Sequence, residues 1–444
     1  MKNDYLITEN PLKALIVFAI PMIIGNLFQQ AYTMADSAIV GRLVGEKALA
    51  AVGAAYSLTN IFICVAIGGG MGASVIVSQY FGHGNYGKLK KTVYTALVTF
   101  LVISVMLGVI GLVFSKNIMI AMNTPVEVLD MSVTYLQIYF LGLPFLFMYN
   151  VLSSMFNALG KSRIPLYFLI FSSVFNIVLD WVFVADFALD VAGGAWATLI
   201  AQGVSVLGSF TVLRKELKKL EGASDGIFEA EELLPMAKIA LPSILQQSTV
   251  SIGMMLVQSV VNSFGAESLA GFSAGMRIES ISIVPMAAVG NAISSYTAQN
   301  IGAGQLKRVS KGYVQANKMV IFFGVVICVI LELFPTQLIT LFLGADGSQV
   351  AIATGYGYLV FMGFFFFMIG FKMATDGVLR GAGDMKLFTI ANLVNLSIRV
   401  IMAMTLAPRF GIAWVWYAVP IGWTANFVIS YLEYRTGKWK TIRR

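Results

Sequence analysis

Seven ionisable side chains fall inside long apolar segments of this 444-residue chain: Asp36 and Asp180 in the first half, and Arg277, Glu279, Lys372, Asp376 and Arg399 in the second. A charge at the centre of a bilayer costs at least about 2.5–3.5 kcal/mol on insertion scales, so each such residue needs a function or a partner. Asn176 and Asp180 are spaced i, i+4 and project from one helical face, and Thr198 and Gln202 repeat that spacing farther on. With Asp36 they supply carboxylate, amide and hydroxyl oxygens, which can hold a proton on a desolvated carboxyl or chelate Na⁺. The plain alternative is that Asp36 and Asp180 sit hydrated at the outer interface. Their occurrence in the same half at compatible depth favours a cation-coupling site at Asp36, Asn176, Asp180 and Thr198.

The second half does not copy this cluster. Asn395 matches Asn176, but Arg399 stands where Asp180 does, either as a sign that the ion site belongs to the first half alone or as a structural arginine on helix-end carbonyls. Lys372 and Asp376, again i, i+4, either neutralise each other or line a cavity. Gln30, Gln247, Gln258 and Asn262 lie on the first and seventh expected helices, and with Lys372 and Asp376 they form the candidate lining of a substrate cavity. The 22 methionines and 32 phenylalanines, including Phe364 to Phe367, offer pliable surface for amphipathic ligands, although most of them face lipid or other helices.

The elements that must position these residues follow from composition. The chain is 58% hydrophobic and 12% charged, against roughly 25% charged in soluble domains. Apolar runs near 14–40, 48–77, 92–114, 131–157, 164–187, 191–213, 236–263, 268–297, 313–335, 353–378, 387–407 and 411–432 predict twelve membrane-spanning helices. They form two copies: Gln79-Tyr80-Phe81-Gly82-His83-Gly84 aligns with Gln299-Asn300-Ile301-Gly302-Ala303-Gly304 at an offset of 220 (299 minus 79), and Pro21 pairs with Pro242. Six spans per copy give both copies one orientation, a parallel repeat of the transporter type. The expected division is an N-terminal lobe at 1–213, a polar cytoplasmic linker at 214–235 and a C-terminal lobe at 236–444 with a short basic tail.

Net charge of +8 raises the question of nucleic acid. Most lysines and arginines fall on the side that carries both termini, with only Arg42, Lys47, Lys116 and Arg409 opposite, so the positive-inside rule accounts for the basic balance and both termini are expected to be cytoplasmic. The first thirteen residues lead into a span without a small-residue cleavage site, the pattern of a first span and not of a cleaved leader. Cys64 and Cys328 read as buried apolar residues, and the single histidine, His83, lies in a basic loop, which leaves no His-based metal site or triad. Gly68-Gly69-Gly70 with Gly72 permits close helix contact or local unwinding; no Gly-Lys-Ser/Thr follows, so it is not a nucleotide loop. No enzymatic constellation is visible.

Taken with Pro21 to Gln30, Asp36-Ser37-Ala38-Ile39-Val40-Gly41, Ala48 to Gly53, Asn176 with Asp180, and Leu379-Arg380-Gly381-Ala382-Gly383-Asp384, these features identify a resemblance to the multidrug and toxic compound extrusion (MATE) family over essentially the whole chain. The resemblance implies an all-α integral membrane fold of twelve helices in two six-helix lobes around a V-shaped cleft. It also implies export of organic, often cationic, small molecules from the plasma membrane in exchange for inward H⁺ or Na⁺, with no other cofactor, no nucleic-acid partner and a monomer in the lipid bilayer. In the DinF-like and archaeal-like branch the cation site lies in the first lobe, where Asp36, Asn176, Asp180 and Thr198 match it. The NorM-like branch places a glutamate on the seventh helix, and no acidic residue occurs between Leu241 and Gly265, which argues against a second-lobe site of that kind, while Asp376 leaves it open. The alternative within the superfamily is a flippase for lipids or lipid-linked precursors.

Overall fold

The computed structural model describes residues 4–43, 46–187, 189–222, 226, 228–344 and 347–441, apart from the side chains at 36–43, 46, 49, 185, 186 and 250. Its α-helices in chain order are α1 (Tyr5–Thr8), α2 (Pro11–Leu43), α3 (Glu46–His83), α4 (Tyr86–Ala121), α5 (Val126–Ala158), α6 (Arg163–Asp180), α7 (Asp190–Lys218) and α8 (Leu233–Asn262). They continue as α9 (Ala266–Gly302), α10 (Leu306–Leu333), α11 (Pro335–Leu343), α12 (Gln349–Gly363), α13 (Phe366–Ala382), α14 (Met385–Phe410) and α15 (Ala413–Thr436). The expected spans one to nine correspond to α2 to α10, the tenth to α12 with α13, and the last two to α14 and α15.

Two elements differ from the sequence expectation. The tenth span is broken after Gly363, with α12 and α13 inclined at 54°, and the fifth ends in a π-helical turn, Trp181–Asp186, directly after Asp180. Among the described residues nine helices are long and apolar enough to cross a bilayer by composition, or ten with the bent pair. Of the twelve expected spans α9 and α15 fall short; in α9, 20 of the 37 residues are buried against protein, so small and polar residues replace lipid-facing ones. α4 and α10, which match in the two repeats, show the reverse. Val102, Met106, Val109 and Val113 on α4, and Ile321, Phe322, Val325 and Val329 on α10, are exposed apolar side chains of the kind a lipid phase covers.

The duplicated Gly motif is a matched pair of helix ends. Gly84 and Gly304 have φ of 76° and 72°, the left-handed region that glycine enters without a Cβ penalty. Their following amides close the same turn, Asn85 N to Tyr80 O at 3.1 Å and Gln305 N to Asn300 O at 2.7 Å.

The chain divides into two compact units, Ile24–Ile244 (the N unit) and Met1–Ile23 with Leu245–Arg444 (the C unit). Both boundaries fall inside helices, α2 and α8, two residues past Pro21 and Pro242. In the N unit α5 packs against α3, α4 and α7. Gly68 and Gly72 press α3 onto the backbone of Ile244 and Ala240, where an added Cβ would lie 2.5 and 2.4 Å away. α3 is continuous through this segment, so its glycines serve close contact and not unwinding. In the C unit α13 takes the central place against α9, α10 and α15.

Candidate functional site

Within the N unit, α6 presents Asn176 and Asp180 one turn apart, α7 presents Thr198 and Gln202, and α2 brings Tyr32. Asn176 joins them. With its amide oriented to satisfy both ends, Nδ2 donates to Asp180 Oδ2 at 2.9 Å and to Tyr32 Oη at 2.5 Å, while Oδ1 accepts from Thr198 N at 2.9 Å and Oγ1 at 3.2 Å. Asp180 is fully buried and Asn176 is 2% exposed. The π turn that begins at Trp181 is an element often found at functional positions, since it offsets the residues before it from those after.

A cavity of about 50 Å³ opens on this cluster, lined by Gln29, Tyr32, Tyr149, Asn176, Thr198 and Gln202 among others. A second, of similar size, shares Thr198 and Gln202 and adds Tyr135 and Tyr139. Each has room for an ion or a few water molecules with polar partners. The donor set is one described carboxylate with amide, hydroxyl and phenol oxygens, hard ligands suited to a proton or an alkali cation. Among the described residues no group of three or more His, Cys, Asp or Glu is placed to hold a metal ion. The Asp36 side chain lies outside the described residues. Tyr32, which the sequence reading passed over, was detectable from its spacing: it lies four residues before Asp36 on the same helix.

The C unit holds two separate buried polar groups. In the first, Lys372 Nζ lies 3.2 Å from Asp376 Oδ2 and donates to Asn392 Oδ1 at 3.0 Å, and Ser430 Oγ donates to Asp376 Oδ1 at 2.7 Å. Arg380, counted from the sequence among the charges of the cytoplasmic side, is buried, donating to Asn291 Oδ1 at 2.9 Å and Ser294 Oγ at 3.2 Å. In the second, Tyr358 Oη donates to Glu279, which also interacts electrostatically with Arg399. Arg399 thus has a carboxylate in its own unit.

The remaining cavity candidates are dispersed. Gln258 Nε2 reaches Asn262 Oδ1 at 3.5 Å on exposed α8, Gln247 is half-buried beside Gln246, and Gln30 is half-buried on the N-unit part of α2. Gln246 is the member of this helix tied to the charged network, donating through Nε2 to Asp376 Oδ2 at 3.4 Å.

Comparison with known proteins places this geometry. The MatE family profile matches residues 21–182 and again 242–405, once in each repeat. The chain is 31% identical over 436 residues to the probable multidrug resistance protein YpnP of Bacillus subtilis (strain 168), covering 98% of this chain and 97% of that protein. It is 27% identical over 442 residues to the probable multidrug resistance protein YoeA of the same organism, covering 95% and 93%. A solved outward-facing multidrug resistance MATE family transporter of the MOP superfamily shares the fold, with a TM-score of 0.90 over 100% of this chain and 99% of that one at 24% identity. Matched by the profile in both repeats and aligned almost end to end with a 31%-identical relative, the chain belongs to the MatE family and is a secondary active multidrug efflux transporter, not an enzyme.

Proposed function

We propose that this transporter exports organic, often cationic, compounds in exchange for inward H⁺ or Na⁺, and that the ion is held in the N unit by Asp36, Asn176, Asp180 and Thr198. The observation that carries the reading is Asn176, whose amide ties the buried Asp180 to Tyr32 and Thr198 beside a polar cavity. A carboxylate so placed is stable only when a positive charge or a proton accompanies it, so its occupancy depends on the ion supply on each side of the membrane. The bound cation would supply charge neutralisation; Asn176 orients the carboxylate, and Thr198 and Tyr32 offer neutral oxygens around it. Arg399 at the matching place in the C unit supports a single-lobe site of the DinF-like kind.

The substrate meets the half-exposed and exposed amides of Gln30, Gln247, Gln258 and Asn262. Within the C unit, Lys372 and Asp376 connect to α8, which carries Gln247, Gln258 and Asn262, through Gln246. The protein works as a monomer in the plasma membrane, with lobes 1–213 and 236–444, a cytoplasmic linker at 214–235 and both termini cytoplasmic.

Efflux of a fluorescent organic cation from everted vesicles, driven by a pH gradient alone and then by a Na⁺ gradient alone, tests the coupling. One gradient is expected to drive efflux in the wild type and neither in Asp180→Asn or Asp36→Asn, because an amide of the same size neither exchanges a proton nor supplies charge. Wild-type efflux in both variants would refute the N-unit site.

A further inference from the structure

We propose that the ammonium group of Lys372 is a built-in cation: it fills, inside the C unit, the role that an exchangeable ion fills beside Asp180, and so keeps that unit out of ion coupling. This rests on the ion-coupled reading above. The ammonium contacts two oxygens of kinds that also ligate alkali ions, a carboxylate oxygen of Asp376 at 3.2 Å and an amide oxygen of Asn392 at 3.0 Å. Asn392 Nδ2 donates back to the same carboxylate oxygen at 3.3 Å, and Ser430 donates to the other at 2.7 Å, so each partner is fixed by a second contact. Lys372, Asp376 and Asn392 are 5, 1 and 4% exposed and Ser430 is fully buried, so no solvent ion screens the pair.

The other charges nearby do not replace the ammonium. Arg380, one turn beyond Asp376, interacts with it electrostatically and shares Gln246 with it, Gln246 Oε1 accepting from Nη1 at 3.4 Å, while its guanidinium is anchored on Asn291 and Ser294. Glu433, three residues past Ser430 on α15, lies 3.7 Å from Lys438 Nζ. Glu279 on α9 is engaged by Tyr358 and Arg399. Removing the Lys372 charge therefore leaves a buried place, beside the Asp376 carboxylate and the Asn392 amide oxygen, that a mobile cation can fill. A tethered cation cannot leave, and a site that never empties cannot exchange.

The test counts the cations moved per substrate, from the reversal of transport against imposed ion gradients, with the full chain in liposomes. Asp376→Asn is expected to keep the wild-type number, Lys372→Met to add one cation, and Lys372→Met with Asp376→Asn to return to the wild-type number. An unchanged number in Lys372→Met, or one fewer in Asp376→Asn, overturns the proposal. A variant too impaired to transport is read by its unfolding temperature in sodium against choline chloride. In an Asp180→Asn background, Lys372→Met should gain a sodium-dependent rise of a few degrees that Asp376→Asn abolishes, and its absence also overturns the proposal. Failure of the ion-coupled reading looks different: wild-type transport ignores both gradients, and the thermal comparison then decides alone.

Discussion

Glu279 and Arg399 show what one substitution costs a duplicated membrane protein. At the offset of 220 that aligns the Gly motifs, Glu279 corresponds to Thr59, while at an offset of 219 (399 minus 180) Arg399 takes the place of Asp180. The tyrosine one repeat earlier makes a related contact, Tyr139 Oη donating to Thr59 O at 3.0 Å, where Tyr358 Oη donates to the Glu279 carboxylate. The arginine on α14 thus interacts electrostatically with a carboxylate on α9, and the hydroxyl of Tyr358 fixes that carboxylate. Glu279 is 6% exposed and Arg399 half-buried, and they interact electrostatically without an ion-pair contact, so neutralising Glu279 is expected to cost about 1 kcal/mol. Glu279→Gln is expected to unfold at lower temperature by that margin, and Glu279→Gln with Arg399→Met to recover most of the loss. Equal instability of the single and double variants would show that the two charges are not coupled.

At the scale of elements, close helix contact in the C unit depends on glycine. An added Cβ at Gly377 would lie 2.3 Å from Gly290 O and 2.6 Å from an Ile293 methyl, and one at Gly381 would lie 2.3 Å from Ser294 O. α13 therefore rides on α9 at backbone distance, and the same contact delivers Ser294 to Arg380. Gly377→Val is expected to cost about 1–3 kcal/mol by overpacking, seen as a lower unfolding temperature together with a changed response to substrates, since the Asp376 network lies on the adjoining turn. A wild-type unfolding temperature would mean that α9 and α13 separate more easily than this packing allows. Much of this scale was legible in advance: the apolar runs mark the spans, the repeated Gly motif marks matching helix ends, and i, i+4 spacing puts Asn176 and Asp180 on one face. The break after Gly363 was not, because Phe364 to Phe367 continue an apolar run without a turn residue. The π turn at Trp181 has no compositional mark either. Burial of Arg380 was missed because a charge near a helix end counts toward a loop unless its partners, here 86 and more residues away, are known.

For the whole molecule, sidedness follows from contacts inside each unit. In the C unit, α1 is tied to the α9–α10 turn: Asn300 Nδ2 donates to Leu6 O at 3.0 Å, and Arg308 Nη2 donates to Glu9 O at 2.7 Å. In the N unit, the linker is tied to the α3–α4 region in the same way. Lys90 Nζ donates to Gly222 O at 2.7 Å, Lys91 pairs with Glu229 at 3.4 Å, and Tyr80 Oη donates to Glu232 Oε1 at 2.8 Å. The segment that leads into each set of six spans is thus held on the side of a basic turn, Lys88, Lys90 and Lys91 in one unit and Lys307, Arg308 and Lys311 in the other. Lysine and arginine concentrate on the cytoplasmic side, so the proposed orientation puts both turns, α1 and the linker there and the segment leading into α12 outside. Single cysteines at Glu221 and Gln349, both exposed, in a chain with Cys64 and Cys328 replaced, separate the two orientations. An impermeant thiol reagent on intact cells should label Gln349→Cys and spare Glu221→Cys, with labelling of Glu221→Cys appearing only after the cells are opened. The opposite pattern inverts the orientation of every span, and labelling at both positions in intact cells breaks the assignment of α8 to α11.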